Sequence, residues 1–225
     1  MRLMVVRHGA TANNSQQRYT GHSDVPLSPL GLRQAEALAA VLAAETFDLI
    51  LSSDLVRARQ TVAASTARNA APLRLDTDLR EMAMGVWEGR TRAEAVALEP
   101  EAWARWRAYP DVSAPPGGET LLQLRDRAAR AIERCYAMHP TGNVLWVTHG
   151  GLIGVLLCHL LGIDPARRWQ FRRDNAGITE LEVGPGRSER GYPSPRMRAI
   201  LLRLNDTSHL KGLEGSDGTE PSQMF

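Results

Sequence analysis

Arg7-His8-Gly9 follows directly on the first apolar run of the chain, Leu3-Met4-Val5-Val6, and Thr148-His149-Gly150 follows a second such run, Val144-Leu145-Trp146-Val147. Two histidines, each placed where a buried strand opens into a glycine-containing turn, can meet at one end of a parallel sheet. Ligand sites in open α/β sheets gather at the carboxyl ends of the strands. A histidine flanked by arginine at that place is a candidate nucleophile toward an anionic group, most naturally phosphate. This chemistry requires a fold that brings the two strand ends together.

The pattern along the chain predicts such a fold. Runs near 2–6, 48–51, 73–76 and 143–148 are rich in Leu, Ile and Val and read as strands of a sheet buried on both faces. Ser28 as N-cap and Pro29 at the first helical position predict a helix that buries Ala35, Leu38, Ala39 and Leu42. A second helix starts near Ser53 or Asp54, either of which can cap it, and carries Arg57 in its first turn. A long helix from about Glu119 to Met138 has Leu121, Leu124, Ala128, Ile132 and Cys135 on one stripe. Between Trp87 and Gly118 the alternation breaks. Short helical pieces with Trp103, Trp106 and Tyr109 read as an insertion over the working end of the sheet, either walling a pocket or packing among themselves. Gly177–Val183 and Met197–Leu204 read as two further strands joined by a polar loop. The expected fold class is α/β, a three-layer sandwich with a mostly parallel central sheet flanked by helices, plus a small helical cap. One domain over 1–210, with the cap at about 88–118, would be followed by a disordered tail over 211–225.

Composition narrows the function. A chain of 225 residues with formal charge +2 is too balanced to argue for nucleic acid or a membrane surface as partner. Lys211 is the only lysine beside many arginines and alanines, a pattern that reads as compositional bias. Cys135 and Cys158 are too few for a disulfide framework or zinc cage and fall on apolar helix stripes, as buried thiols do. No segment is long and apolar enough for a signal or membrane span, so the expected setting is cytoplasmic. The six histidines show no metal-ligand spacing, and no nucleotide-binding GxxxxGK[ST] loop is present. No metal and no cofactor are expected.

Five separated blocks, taken in order, resemble the histidine phosphatase superfamily, whose other familiar branch is cofactor-dependent phosphoglycerate mutase. They are Arg7-His8-Gly9-Ala10-Thr11 with Asn14; Gly21, Asp24, Pro26-Leu27-Ser28 and Gly31 with Gln34-Ala35; Ser52-Ser53-Asp54-Leu55-Val56-Arg57-Ala58 with Thr61; Leu79-Arg80-Glu81, Gly85 and Trp87-Glu88-Gly89; and Thr148-His149-Gly150-Gly151. The resemblance runs from Arg7 to about Leu204.

It implies a phosphohistidine intermediate on His8, and the residue types agree. Phosphoryl transfer to nitrogen needs a neutral imidazole with one ring nitrogen free and the other held by a hydrogen bond. The phosphate needs fixed donors and positive charge, which Arg7 and Arg57 can offer as rigid guanidinium forks while disfavouring protonation of His8. The plain alternative for Arg57, a solvated side chain, is set against a helix dipole that disfavours a cation there. His149 would contact the phosphate from the opposite side. Asn14, Thr20, Gly21 and the Gly150 backbone are candidate secondary contacts. The leaving alkoxide needs a proton and the attacking water must lose one; the resemblance points to Glu81 for both steps. Glu88 reads as structural.

Three functions remain open: a phosphomonoesterase acting on a small phosphorylated metabolite, a mutase of the phosphoglycerate type, and a silent phosphate-binding module. The segment Glu81-Met82-Ala83-Met84-Gly85 resembles the phosphatase branch, and a homodimer is left open. Arg90, Arg92, Arg105 and Arg107 leave room for a carboxylated substrate. The Arg167-Arg168 and Arg172-Arg173 pairs read as a solvated helix end, with attraction of an anionic substrate as the other reading. Ala10 and Asn13 depart from the family, where Glu or Gln and an aromatic residue are usual. The departures leave the catalytic set intact.

Overall fold

The structure, a computed structural model, describes residues 1–67, 69–187 and 193–213. Its strands are β1 (Arg2–Arg7), β2 (Leu49–Ser52), β3 (Leu73–Leu75), β4 (Asn143–Thr148), β5 (Ile178–Arg187) and β6 (Pro193–Asp206), and they form one sheet in the order β3-β2-β4-β1-β5-β6. The first four in that order run parallel, while β5 and β6 add as an antiparallel hairpin on the far side of β1. The hairpin strands are longer than the sequence pattern predicts, and the residues that connect them, 188–192, lie outside the described residues.

Side-chain alternation along β1 explains the layers. Leu3 and Val5 point into a core made with α6 (Leu121–Met138) and α7 (Gly150–Leu161), whereas Met4 and Val6 point into a second core with α2 (Pro29–Leu42) and α3 (Val56–Thr66). A strand buried on both faces has to be apolar at every position, which is why Leu3–Val6 shows no alternation. The sheet thus lies between two helical layers, as expected for the α/β class. β3 departs from the expectation: all three of its residues are exposed, because it is the edge strand.

Helix starts follow local chemistry where the cap is local. Ser28 accepts the Gly31 N–H at 3.1 Å with Pro29 next in line, so α2 begins where expected. In α6 the Thr120 and Gln123 side chains close a capping box, two residues past the expected start. Neither Ser53 nor Asp54 caps α3, a correction to the expectation. The Val56 N–H is instead accepted by the Asp24 carboxylate at 2.6 Å, while Asp54 binds the Arg80 guanidinium through both oxygens.

The insertion consists of α4 (Arg92–Leu98) and α5 (Pro100–Ala108). Trp103 and Trp106 are buried there against Trp87, with ring centroids 5.2 and 5.4 Å from it, and Tyr19 joins the cluster. The two tryptophans therefore pack the cap rather than wall a pocket, and Tyr109 is exposed. Cys135 and Cys158 are free, buried thiols, and burial pushes both up to about 11. Among the described residues no helix is long and apolar enough to cross a membrane. Of the expected tail, 211–213 close a turn on Leu210, and 214–225 lie outside the described residues.

The loop that follows β1 is seated on α2. The Ser28 N–H donates to the Ala10 carbonyl at 2.9 Å, and Gly9 and Gly31 meet backbone to backbone. A methyl group on Gly31 would run into the Ala10 carbonyl oxygen. In an open helix interior Gly31→Ala would stabilise by about 1 kcal/mol. Here it is expected to destabilise by about 2 kcal/mol, as overpacked sites do, measured by urea unfolding; a stability gain would show that the close approach is unimportant.

Candidate active site

β2, β4 and β1 are neighbours, and each is followed directly by a polar residue of the site: Ser53, His149 and His8. Backbone ladders carry on past the strands, with Ser53 N–H on the Val147 carbonyl and His8 N–H on the Thr148 carbonyl, both at 2.9 Å. The two imidazoles are brought together with ring centroids 5.0 Å apart and planes tilted by 57°. Both are buried. His8 Nδ1 lies 2.7 Å from its neighbour's carbonyl, Gly9 O. A carbonyl only accepts, so Nδ1 carries the proton and Nε2 keeps its lone pair. Burial, then the charges of Arg57 and Arg7, hold His8 well below the ordinary imidazole pKa.

Arg57 comes from the first turn of α3 and is buried. Its Nη1 and Nη2 donate to the carbonyls of Ser23 at 2.9 Å and Gly21 at 2.8 Å, and its Nε donates to His149 Nδ1 at 3.2 Å. With Nδ1 accepting, the His149 proton sits on Nε2 and is donated to Ser53 Oγ at 2.8 Å. His149 too is held well below the ordinary value, by burial first and Arg57 next. Burial also lowers Arg57, to about 10. The Thr20–Ser23 turn that supplies the two carbonyls is held by Glu88, which accepts from His22 N–H at 2.8 Å and Ser23 Oγ–H at 2.6 Å. Glu88 is thus fully occupied as a strap, in keeping with its structural reading.

Arg7 donates through Nη1 to the Arg173 carbonyl at 2.7 Å, and its Nε is buried without a partner among the described residues. Burial lowers its pKa. Neither Arg7 nor Arg57 forms an ion pair among the described residues; they donate to carbonyls and an imidazole. Glu81 reaches the first turn of α7, accepting from Gly151 N–H at 2.9 Å and from Met82 N–H at 2.8 Å. The five expected residues, Arg7, His8, Arg57, Glu81 and His149, therefore surround one another at the carboxyl edge of the sheet.

The secondary contacts are placed unequally. Gly150 packs against the Arg7 side chain. Gly21 adopts positive φ (+52°), a conformation glycine accepts readily, and turns its carbonyl to Arg57. The Asn14 amide oxygen accepts from Thr11 and Asn175, which leaves its Nδ2 as the group it can offer outward. Thr20 is half-buried in the turn, its carbonyl accepting from Ser23 N–H at 3.0 Å.

Three residues of this region escaped the sequence reading, and a fourth was set down first as a solvated charge. Ser53 fixes the proton on His149. His22 Nε2 and Arg127 both donate to the Glu81 carbonyl, at 2.9 and 3.1 Å. Arg127 also holds the carbonyls of Asp78 and Arg80, each at 2.8 Å, and is anchored by Glu119. Its signal was available: an arginine on the inward stripe of α6 between Leu124 and Ala131. Arg173 is the fourth. The solvated-end reading holds for the exposed Arg167 and Arg172, but Arg168 is buried and Arg173 folds over the first turn of α7, its Nη1 on the Gly150 carbonyl at 3.0 Å. Stacking explains the difference, since Arg168 and Arg173 lie over the Trp169 ring at 4.1 and 5.7 Å. Among the described residues no three His, Cys, Asp or Glu side chains are grouped to hold a metal ion.

The chain is similar to known proteins in sequence and in fold. The family model described as histidine phosphatase superfamily (branch 1) matches residues 3–190. The adenosylcobalamin/alpha-ribazole phosphatase of Escherichia coli is 31% identical over 183 residues, which are 81% of this chain and 90% of that protein. The glucosyl-3-phosphoglycerate phosphatase of Mycolicibacterium vanbaalenii is 39% identical over 75% of this chain and 77% of its own. The crystal structure of the alpha-ribazole phosphatase from Shigella flexneri superposes with a TM-score of 0.80 at 29% identity, covering 92% of this chain and 96% of that one. A probable phosphoglycerate mutase of Yersinia enterocolitica is also related, at 32% identity over 93% of this chain and 95% of its own.

The lowered histidines have a measurable sign. Unfolded imidazoles take up protons near pH 6.5, whereas folded His8 and His149 stay neutral there. Stability should therefore be fully present above about pH 6.5 and fall as the pH drops through it. Nitrogen-15 NMR of the two rings should show neutral imidazoles down to pH 6, the proton on Nδ1 in His8 and on Nε2 in His149. A midpoint at or above 6.5 for either ring would contradict the assignment.

Proposed function

The chain belongs to the histidine phosphatase superfamily (branch 1) and is a phosphoric monoester hydrolase, and from that premise we propose that it hydrolyses a small phosphorylated metabolite through a phosphohistidine on His8, without a metal ion. The observation that supports this most is the pairing of a neutral His8, its Nε2 lone pair free, with two buried guanidiniums that form no ion pair among the described residues. A buried cation left without a carboxylate is costly unless an anion arrives to balance it. A phosphate dianion does so and presents its phosphorus to Nε2.

In the first step the Nε2–P bond forms as the P–O bond to the alcohol breaks, and Glu81 gives the leaving oxygen its proton. In the second step water attacks phosphorus, Glu81 takes a proton from it, and the N–P bond breaks to release inorganic phosphate. Arg7 and Arg57 hold the equatorial oxygens as charge builds on them, an effect worth about 2.7–4 kcal/mol per well-placed donor. His149 lines the opposite side of the phosphate, with Asn14, Thr20, Gly21 and Gly150 as outer contacts. The Gly151 N–H and the grip of Arg127 and His22 on the Glu81 segment keep the carboxyl group at the leaving oxygen.

Rapid acid-sensitive labelling by a phosphate-labelled monoester tests the route. The wild type should take up an acid-labile label in the presence of chelator, and His8→Ala should not. Glu81→Gln should lower turnover of alkyl phosphates by about 10²–10⁴, with a smaller loss for aryl phosphates, whose leaving groups need no proton. Labelling that persists in His8→Ala would identify another nucleophile. Isomerisation of 3-phosphoglycerate without phosphate release would favour a mutase.

A further inference from the structure

Arg173 is a third cation at the same edge, and the phosphate does not account for it. Its guanidinium is folded over the first turn of α7, where Nη1 donates to the Gly150 carbonyl at 3.0 Å. Gly154 makes that position available, since a methyl group there would collide with the guanidinium. The Trp169 ring backs it at 5.7 Å. Gly150 also packs against the Arg7 side chain, and Arg7 donates to the Arg173 carbonyl, so Arg173 borders the reaction site. Burial lowers it to about 10, so it stays a cation at neutral pH.

The carboxylate next to it in sequence is engaged elsewhere. Asp174 Oδ2 accepts from Arg172 at 2.7 Å and from Asn205 at 2.9 Å. Arg173 itself forms no ion pair among the described residues and donates instead to a carbonyl. With Glu81 protonated as the proton donor of the first step, Arg7, Arg57 and Arg173 bring three positive charges to one edge, and a phosphomonoester dianion balances two of them. One charge remains, on the Gly150 side of the phosphate position. A guanidinium presents a planar pair of donors that a carboxylate matches.

We propose that Arg173 binds a carboxylate of the substrate, so that the substrate is a phosphorylated hydroxy acid or a close relative rather than a neutral alcohol phosphate. This rests on the phosphatase reading above and makes Arg173 a specificity residue. The exposed cap arginines Arg92, Arg105 and Arg107 are not needed for it.

Hydrolysis of 4-nitrophenyl phosphate, inhibited by 3-phosphonopropionate or by its uncharged amide, tests the assignment without knowledge of the natural substrate. In the wild type the carboxylate compound should inhibit about tenfold more strongly than the amide, the gain expected of a charged hydrogen-bonded pair. In Arg173→Gln that ratio should fall toward one, and Arg173→Lys should recover part of it. A wild-type ratio near one would overturn the proposal even if no variant folds, as would a ratio that Arg173→Gln leaves unchanged. If the wild type releases no nitrophenol at all, the phosphatase reading fails and this inference with it, which separates the two.

Discussion

Buried positive charge is the constraint on which this structure turns. Arg7 and Arg57 are taken out of water without a carboxylate partner among the described residues, and such charges persist only where dipoles are aimed at them. Here the dipoles are main-chain carbonyls of Gly21, Ser23 and Arg173. Those carbonyls belong to loops, which do not hold themselves in place. Glu88 straps the Thr20–Ser23 turn, Asp24 pins the same turn to the first amide of α3, and the Arg173 carbonyl is placed by the chain between α7 and β5. Much of the polar bonding near the site serves this one end.

The same charge determines the state of the histidines. Burial first, and then a guanidinium beside each imidazole, disfavour a second cation, so both rings stay neutral, and a neutral ring has one proton to place. In His8 the accepting Gly9 carbonyl fixes it on Nδ1 and the lone pair is left on Nε2; in His149 Arg57 and Ser53 together place it on Nε2. The sheet order makes this possible. Because β4 inserts between β2 and β1, three strand ends distant in sequence deliver Ser53, His149 and His8 side by side.

Features written in short stretches of sequence were legible. The Ser28-Pro29 start of α2, the apolar stripe of α6 and the unbroken apolar runs of β1 and β4 all act within a few residues. The main site residues were legible through their motif blocks. What escaped depends on contacts between distant segments. The cap of α3 comes from Asp24, and β3 is exposed because among the described residues nothing pairs beyond it, which no local pattern reports. Arg127, His22 and Ser53 act on backbone atoms or on another side chain, so their residue types alone announce no function. Arg168 and Arg173 looked like surface charge because the features that withdraw them, the gap at Gly154 and the Trp169 ring, are visible only once the chain is folded.

The proposed route is a double displacement at phosphorus in which the free Nε2 of His8 carries the phosphoryl group. Hydrolysis of a monoester made chiral at phosphorus by isotopic and sulfur substitution, run in oxygen-labelled water, reads that directly. Two in-line steps through His8 predict retention of configuration. Inversion would mean that water attacks phosphorus directly and that His8 does not carry the phosphoryl group.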